Sequence, residues 1–270
     1  MKNKVIMVLS DGLRKDTALE QMGFLYHLVE VKRASLYTVI GELPAVSRPM
    51  YETIHTGTPV STHGVYSNQI VRRSKMPNLF QAARDHGKKT AAAAFCWYSE
   101  LYNKAPYDII EDRETDDESA LIQHGRFYAY DEFPDIELFA LGAMLMRRFD
   151  PDYLLIHPMG VDDMGHHFGS ESPEYGRAAA KQDAILANQV FDWLGRGYNV
   201  LVTADHGMNQ NKSHNMASQK DRELPLYLIL AEEPGRGDTG EVISQLQIAP
   251  TICRLLDVPI PETMKKPPIL

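Results

Sequence analysis

Three aspartates each stand just beyond an apolar, β-branched run: Asp11 after Lys-Val-Ile-Met-Val-Leu-Ser, Asp162 after Tyr-Leu-Leu-Ile-His-Pro-Met-Gly-Val, and Asp205 after Asn-Val-Leu-Val-Thr-Ala. Two of them lead to imidazoles. In Asp162-Asp-Met-Gly-His166 the histidine lies four residues on, and in Asp205-His206-Gly207 it is adjacent; His214 follows before the next apolar run opens near Pro225. Carboxylates mixed with imidazoles suit zinc, manganese or iron, whereas calcium and magnesium prefer all-oxygen surroundings. Taken singly, each motif is equally a capped turn. Three of them at three strand ends point to one metal-binding cluster. His167 and Asp163 compete with their neighbours His166 and Asp162 for the ligand roles. Asp183 reads as a surface or outer carboxylate, and His27, His86 and His124 have no companion and read as structural.

A serine precedes a predicted helix in Pro44-Ala-Val-Ser47-Arg-Pro49-Met-Tyr-Glu-Thr-Ile-His-Thr-Gly57. Ser47 there suits an N-cap, because its oxygen can accept an orphan backbone N–H. The same position suits phosphate chemistry, since the free N–H groups and positive dipole end of a helix attract anions. A serine hydroxyl needs an adjacent base or a metal to become a nucleophile, and the Asp/His cluster could supply the metal. Asn68, ending His63-Gly-Val-Tyr-Ser-Asn68, offers either a turn residue or an amide donor to a phosphate oxygen.

These groups require an α/β frame to bring them together. Strands are expected over Lys4–Leu9, Ser35–Ile40, Lys89–Cys96, Asp152–His157, Tyr198–Thr203 and Pro225–Leu230. Helices are expected over Asp16–Val31, Pro49–Gly57, Pro77–Gly87, Asp135–Phe149, Glu174–Gly195 and Gln247–Leu256. The alternation predicts a mainly parallel central sheet with helices on both faces. In such sheets ligands bind outside the carboxyl ends of the strands, where all three aspartates would lie. The chain reads as a single domain over 1–270. The acidic run Glu111–Glu118 and the aromatics Phe127, Tyr128, Tyr130 and Phe133 mark an insertion around 98–134 that could shape a substrate pocket. Its plainer reading is a solvated face.

Composition narrows the class. With 270 residues, 44% hydrophobic and 24% charged, the chain has ordinary globular usage. Its apolar stretches are shorter than the roughly 20 residues a membrane span needs, and the N-terminus lacks the apolar region of a signal peptide. The expectation is a cytoplasmic protein without a membrane partner. A formal net charge of −8 gives no electrostatic reason to bind a nucleic-acid polymer. Cys96 and Cys253 form no CxxC pair and are expected as small buried hydrophobes. Oligomeric state leaves no mark in the sequence.

Together these motifs resemble the alkaline phosphatase superfamily, in particular its type I nucleotide pyrophosphatase/phosphodiesterase branch. The resemblance rests on Asp11-Gly-Leu-Arg, Ser47-x-Pro49 ten residues before Gly57, the segment ending in Asn68, Asp162-x-x-Gly-His166, Thr203-Ala-Asp-His-Gly207, His214 before Leu224-Pro-Leu-Tyr, and Ile248-Ala-Pro-Thr-Ile. It runs through nearly the whole chain in the family's order. It implies an alkaline phosphatase-like core with a minimal cap and two divalent ions, zinc first and manganese second. Asp162, His166 and His214 would hold one ion. Asp11, Asp205 and His206 would hold the other, completed by Ser47 as nucleophile, and Asn68 would contact a phosphate oxygen. The implied activity is hydrolysis of phosphodiester or nucleotide pyrophosphate bonds through a phosphoryl-serine intermediate, on a small phosphorylated substrate such as a nucleotide.

The departures from the family pattern set the alternatives. The branch commonly carries threonine followed by Phe-Pro-Asn-His where this chain has Ser47-Arg-Pro-Met-Tyr; serine supports the same chemistry. Sulfatases need an arginine at the position of Tyr51, which counts against that activity. Phosphonoacetate hydrolase-like and phosphomonoester hydrolysis remain as alternatives. Outside catalysis, the chain could be a metal-dependent binder of a phosphorylated metabolite. Trp97 and Tyr98, just past a predicted strand, could stack on a nucleobase or leaving group, or simply cover the sheet edge.

Overall fold

In the computed structural model, which describes residues 3–214 and 217–270, the chain runs β1 (Lys4–Leu9), α1 (Lys15–Gln21), α2 (Gly23–Glu30), β2 (Ser35–Ile40), α3 (Ser47–Thr56), α4 (Val60–His63), α5 (Leu79–Asp85), β3 (Thr90–Phe95) and α6 (Trp97–Tyr102). It continues through β4 (Glu114–Asp116), β5 (His124–Tyr128), α7 (Asp135–Phe149), β6 (Tyr153–Ile156), α8 (Gly160–Phe168), α9 (Pro173–Gly195) and β7 (Tyr198–Thr203). It closes with α10 (Gln219–Arg222), β8 (Glu223–Ile229), β9 (Gly237–Ser244), a 3-10 turn (Gln245–Gln247) and α11 (Ile248–Leu256).

The described strands form one nine-stranded sheet in the order β4-β5-β3-β6-β1-β7-β8-β2-β9. From β5 to β7 every neighbouring pair is parallel, and β8 runs antiparallel to both β7 and β2. All six residues of β1, Lys-Val-Ile-Met-Val-Leu, are buried, as a central parallel strand covered on both faces demands. Helices α1, α2, α7 and α9 pack together on one face, while α3, α5 and α11 cover the other. This is the expected mainly parallel α/β sheet, and no described helix is long and apolar enough to cross a membrane.

Register brings the aspartates together. Leu9 pairs with Thr203, so Asp11 and Asp205 both lie two residues past the same rung. Val8 pairs with Ile156, which places His157 beside Leu9 at that edge.

Several expectations need correction. The single helix over Asp16–Val31 is two helices broken at Met22, whose φ of −98° and ψ of 70° leave helical space. Asp183, projecting from α9, restarts the chain by accepting from Phe24 N at 2.7 Å and Leu25 N at 3.1 Å. It is therefore a cap supplied from another helix rather than a surface group. The segment around 98–134 does not stand apart: it contributes β4 and β5 to the sheet, and Phe127 and Tyr128 are buried. The segment carrying Asp162 and His166, for which no element was expected, is helix α8. Both cysteines are free and buried, as expected.

Candidate metal centre

Ser47 opens α3, but it does not cap it. Val46 holds the cap position, without a side-chain hydrogen bond, and Ser47 Oγ lies 3.1 Å from His206 Nε2. Arg48 N donates to Asn68 Oδ1 at 3.0 Å. A backbone N–H can only donate, so this bond fixes the orientation of the Asn68 amide. Its Nδ2, with no partner among the described residues, remains the donor for an incoming oxygen. Arg48 itself is buried, with Nη2 2.6 Å from Glu100 Oε2 and its guanidinium 4.5 Å from the Trp97 ring centroid.

The motif glycines permit the close approach of these loops. Gly12 has φ of +71°, and a Cβ there would lie 2.9 Å from Asp162 Cα. At Gly207 a Cβ would meet Lys220 O at 1.9 Å.

The three aspartates and three histidines converge beyond the strand ends. His206 Nε2 is 3.3 Å from Asp11 Oδ1 and 3.2 Å from Asp205 Oδ2. His166 Nε2 is 3.3 Å from Asp162 Oδ2 and 3.2 Å from His214 Nε2, and the His206 and His214 rings stack with centroids 3.7 Å apart. Asp11, Asp205 and His206 form one group whose candidate ligand atoms all lie within 4.8 Å; Asp162, His206 and His214 form a second. His206 thus faces both groups, and His166 adjoins the second from a half-exposed position. The other pair on α8, Asp163 and His167, points away with 3.1 Å between Oδ1 and Nδ1.

Whether these residues fit cations follows from their lone pairs. The Nδ1 atoms of His206, His214 and His166 lie 2.9, 2.6 and 3.0 Å from the carbonyls of Gly207, Ala45 and Lys212. A carbonyl only accepts, so each Nδ1 carries a proton, as in the usual outer contacts of metal-ligating histidines. Burial lowers His206, and it carries His214 down to about 4, so both are neutral and turn an Nε2 lone pair inward. Asp11 Oδ1, Asp162 Oδ1 and Asp205 Oδ2 are buried without a hydrogen-bond partner. Burial, then the negative charge of Asp11, raises Asp162 and Asp205. The Asp162 hydrogen bond lifts His166 to about 9. Unpaired buried carboxylate oxygens are costly, and lone pairs aimed at them repel. Divalent cations would resolve both conflicts, so the donor set fits them.

Some groups around the centre were not among the residues singled out. Tyr51 donates its hydroxyl to Asp11 Oδ2, and His157 Nε2 lies 3.1 Å from the same oxygen. His157 was visible as a histidine directly after an apolar run; Tyr51, one turn after Ser47, carried no signal beyond its spacing. Tyr98 is corrected in the opposite sense. It is fully buried and stacks on Tyr51 at 4.7 Å, so its ring is unavailable to a substrate. Trp97 is partly exposed and carries the Arg48 guanidinium on its ring.

Comparison with known proteins agrees with this architecture. Human GPI ethanolamine phosphate transferase 2, catalytic subunit, is 25% identical over 278 residues, covering 96% of this chain and 27% of the relative. Human GPI ethanolamine phosphate transferase 3, catalytic subunit, is 32% identical over 290 residues, covering 96% of this chain and 25% of the relative. The chain spans about a quarter of the length of these relatives. Among solved structures, murine ectonucleotide pyrophosphatase / phosphodiesterase 5 superposes with a TM-score of 0.72 at 14% identity, covering 96% of both chains. Alkaline phosphatase PafA superposes with a TM-score of 0.69 at 12% identity, covering 99% of this chain and 98% of that one. These two likenesses place the fold among alkaline phosphatase-like proteins. The expectation of a small phosphorylated substrate and no membrane partner is corrected by the transferases, whose names specify GPI, a glycolipid. Residues 5–233 match the family described as type I phosphodiesterase / nucleotide pyrophosphatase, and the chain belongs to that family.

Proposed function

We propose that the chain cleaves phosphodiester bonds through Ser47, assisted by two divalent ions. The observation that carries this reading is the position of Ser47 Oγ, 3.1 Å from His206 Nε2, where His206 adjoins both ligand groups. Zinc is the first candidate for both ions and manganese the second, since both accept mixed carboxylate and imidazole ligands. When bound, paired ions in such a site favour the deprotonated nucleophile and neutralise charge on the attacking and leaving oxygens.

The chain's own residues supply the rest. Asp11, Asp205 and His206, with Ser47, would hold one ion; Asp162 and His214, joined by the adjoining His166, would hold the other. Ser47 Oγ, its proton released to solvent, forms a bond to phosphorus as the ester oxygen opposite it departs with the bond's electron pair and takes up a proton, leaving the phosphate with its remaining ester group on Ser47. The oxygen of an incoming hydroxyl then bonds to phosphorus and gives up its proton, as Ser47 Oγ departs with the bond's electron pair and is reprotonated. With water this step is hydrolysis, and with an alcohol it is transfer. Asn68 Nδ2 donates to a non-bridging oxygen, and the N-terminus of α3 favours the phosphate's negative charge. The names of the transferase relatives favour ethanolamine phosphate esters and a lipid-linked partner over a free nucleotide.

The test compares kcat/KM of zinc- or manganese-loaded protein on the p-nitrophenyl ester of phosphoethanolamine, p-nitrophenyl phosphate and phosphonoacetate. The first is expected to be the best substrate. A preference for either of the others would replace this reading with monoesterase or phosphonate chemistry.

A further inference from the structure

The Asp11 carboxylate is treated differently at its two oxygens. Oδ2 accepts a hydrogen bond from the Tyr51 hydroxyl and lies 3.1 Å from His157 Nε2, whereas Oδ1 is buried with no hydrogen-bond partner and lies 3.3 Å from His206 Nε2. A carboxylate oxygen only accepts, so His157 Nε2 carries a proton toward it. His157 is held in turn, since Tyr128 donates its hydroxyl to the His157 carbonyl at 2.7 Å. His157 and Tyr51 are fully buried, and Tyr128 is nearly so.

Tyr51 also lies four residues after Ser47 on α3, so both project from one face of that helix. One end of this face reaches His206 through Ser47, and the other reaches Asp11 through Tyr51. Both contacts therefore end on members of the same ligand group, Asp11, Asp205 and His206.

We propose that Tyr51 and His157 are positioning residues that clamp Asp11 Oδ2, leaving Oδ1 as the single oxygen offered to a cation. Tyr51 in addition sets the place of Ser47 relative to that cation. Neither residue touches the substrate. The inference rests on the two-ion reading of the site, and its test reads metal binding separately from turnover.

The experiment titrates the metal-stripped 270-residue chain with Zn²⁺ against a chromogenic chelator, for wild type, Tyr51→Phe, His157→Leu and His157→Gln. Phenylalanine keeps the ring stack with Tyr98 and removes only the donor; glutamine restores an N–H donor at His157. Loss of an outer contact to a metal ligand typically weakens binding by about 10–100-fold. The expected result is one of two zinc steps weakened by about that factor in Tyr51→Phe and His157→Leu, with the other step unchanged and His157→Gln closer to wild type. On the substrate that the wild type turns over best, Tyr51→Phe is expected to lower kcat at saturating zinc with little change in KM. Wild-type affinities for both steps in Tyr51→Phe and His157→Leu would overturn the inference and leave the two residues as packing. If the weakened step appears but no phosphodiester is cleaved by the wild type, the clamp stands and the proposed activity falls.

Discussion

Helix α8 carries two carboxylate–imidazole pairs at the same i,i+4 spacing, one residue apart, and geometry separates their roles. Asp162 and His166 face His214, while Asp163 and His167 pair with each other on another side of the helix. His166→Ala is therefore expected to lower kcat/KM and remove part of the zinc binding, and His167→Ala to leave both near wild type; equal loss from the two variants would contradict the assignment. Glu52, on the nucleophile helix, allows a test by pH. It is fully buried, accepting from Ser74 Oγ at 2.5 Å and Tyr102 OH at 3.0 Å. Burial outweighs those donors and pushes its carboxyl up to about 7. A raised carboxyl favours the folded state fully below its unfolded value near 4.5, and that contribution is lost as pH rises through about 7. The difference is worth about 3 kcal/mol. Denaturant unfolding at pH 5 and pH 8 should show a loss in wild type that Glu52→Gln does not share; parallel behaviour of the two proteins would refute it. Aspartates and histidines past apolar runs, together with Ser47 before its helix, could be read from residue type and spacing. Tyr51 could not, because its role depends on the helical turn that carries it back to Asp11.

At the level of elements, strands were readable wherever a continuous apolar run met a buried parallel position, as in β1 and β7. The break between α1 and α2 was hidden because its cause lies far along the chain, in Asp183. Removing that cap should destabilise the protein by about 1 kcal/mol, within the usual range for a capping carboxylate. Thermal or denaturant unfolding of Asp183→Ala measures this, and Asp183→Asn, which keeps one acceptor oxygen but turns an NH2 group toward the second N–H, should lose part of the stability as well. An unchanged Asp183→Ala would mean that α2 is held by packing alone. Strands β4 and β5 also escaped notice. The three residues of β4 are Glu-Thr-Asp, a polar edge without alternation, and β5 begins His-Gly-Arg, so neither shows the apolar pattern of a buried strand. Helix α8 was obscured by its two adjacent Asp/His pairs, which resemble a ligand loop until the i,i+4 geometry is applied.

For the molecule as a whole, one sheet order does most of the positioning: β6, β1 and β7 are adjacent and parallel, so the segments after them meet at one edge. The same sheet and edge could host hydrolysis or transfer, and the partner of the phosphoryl group is the part least written in this chain, which spans about a quarter of its transferase relatives. The central claim is that Ser47 attacks phosphorus within a two-ion site. Its most direct test is turnover of bis-p-nitrophenyl phosphate and p-nitrophenyl phosphate by zinc-loaded wild type and Ser47→Ala, with bound zinc measured in both. The account predicts higher kcat/KM for the diester, and a loss on the order of a thousandfold in Ser47→Ala while zinc remains bound through the carboxylates and imidazoles. Near wild-type diester turnover by zinc-loaded Ser47→Ala would contradict it.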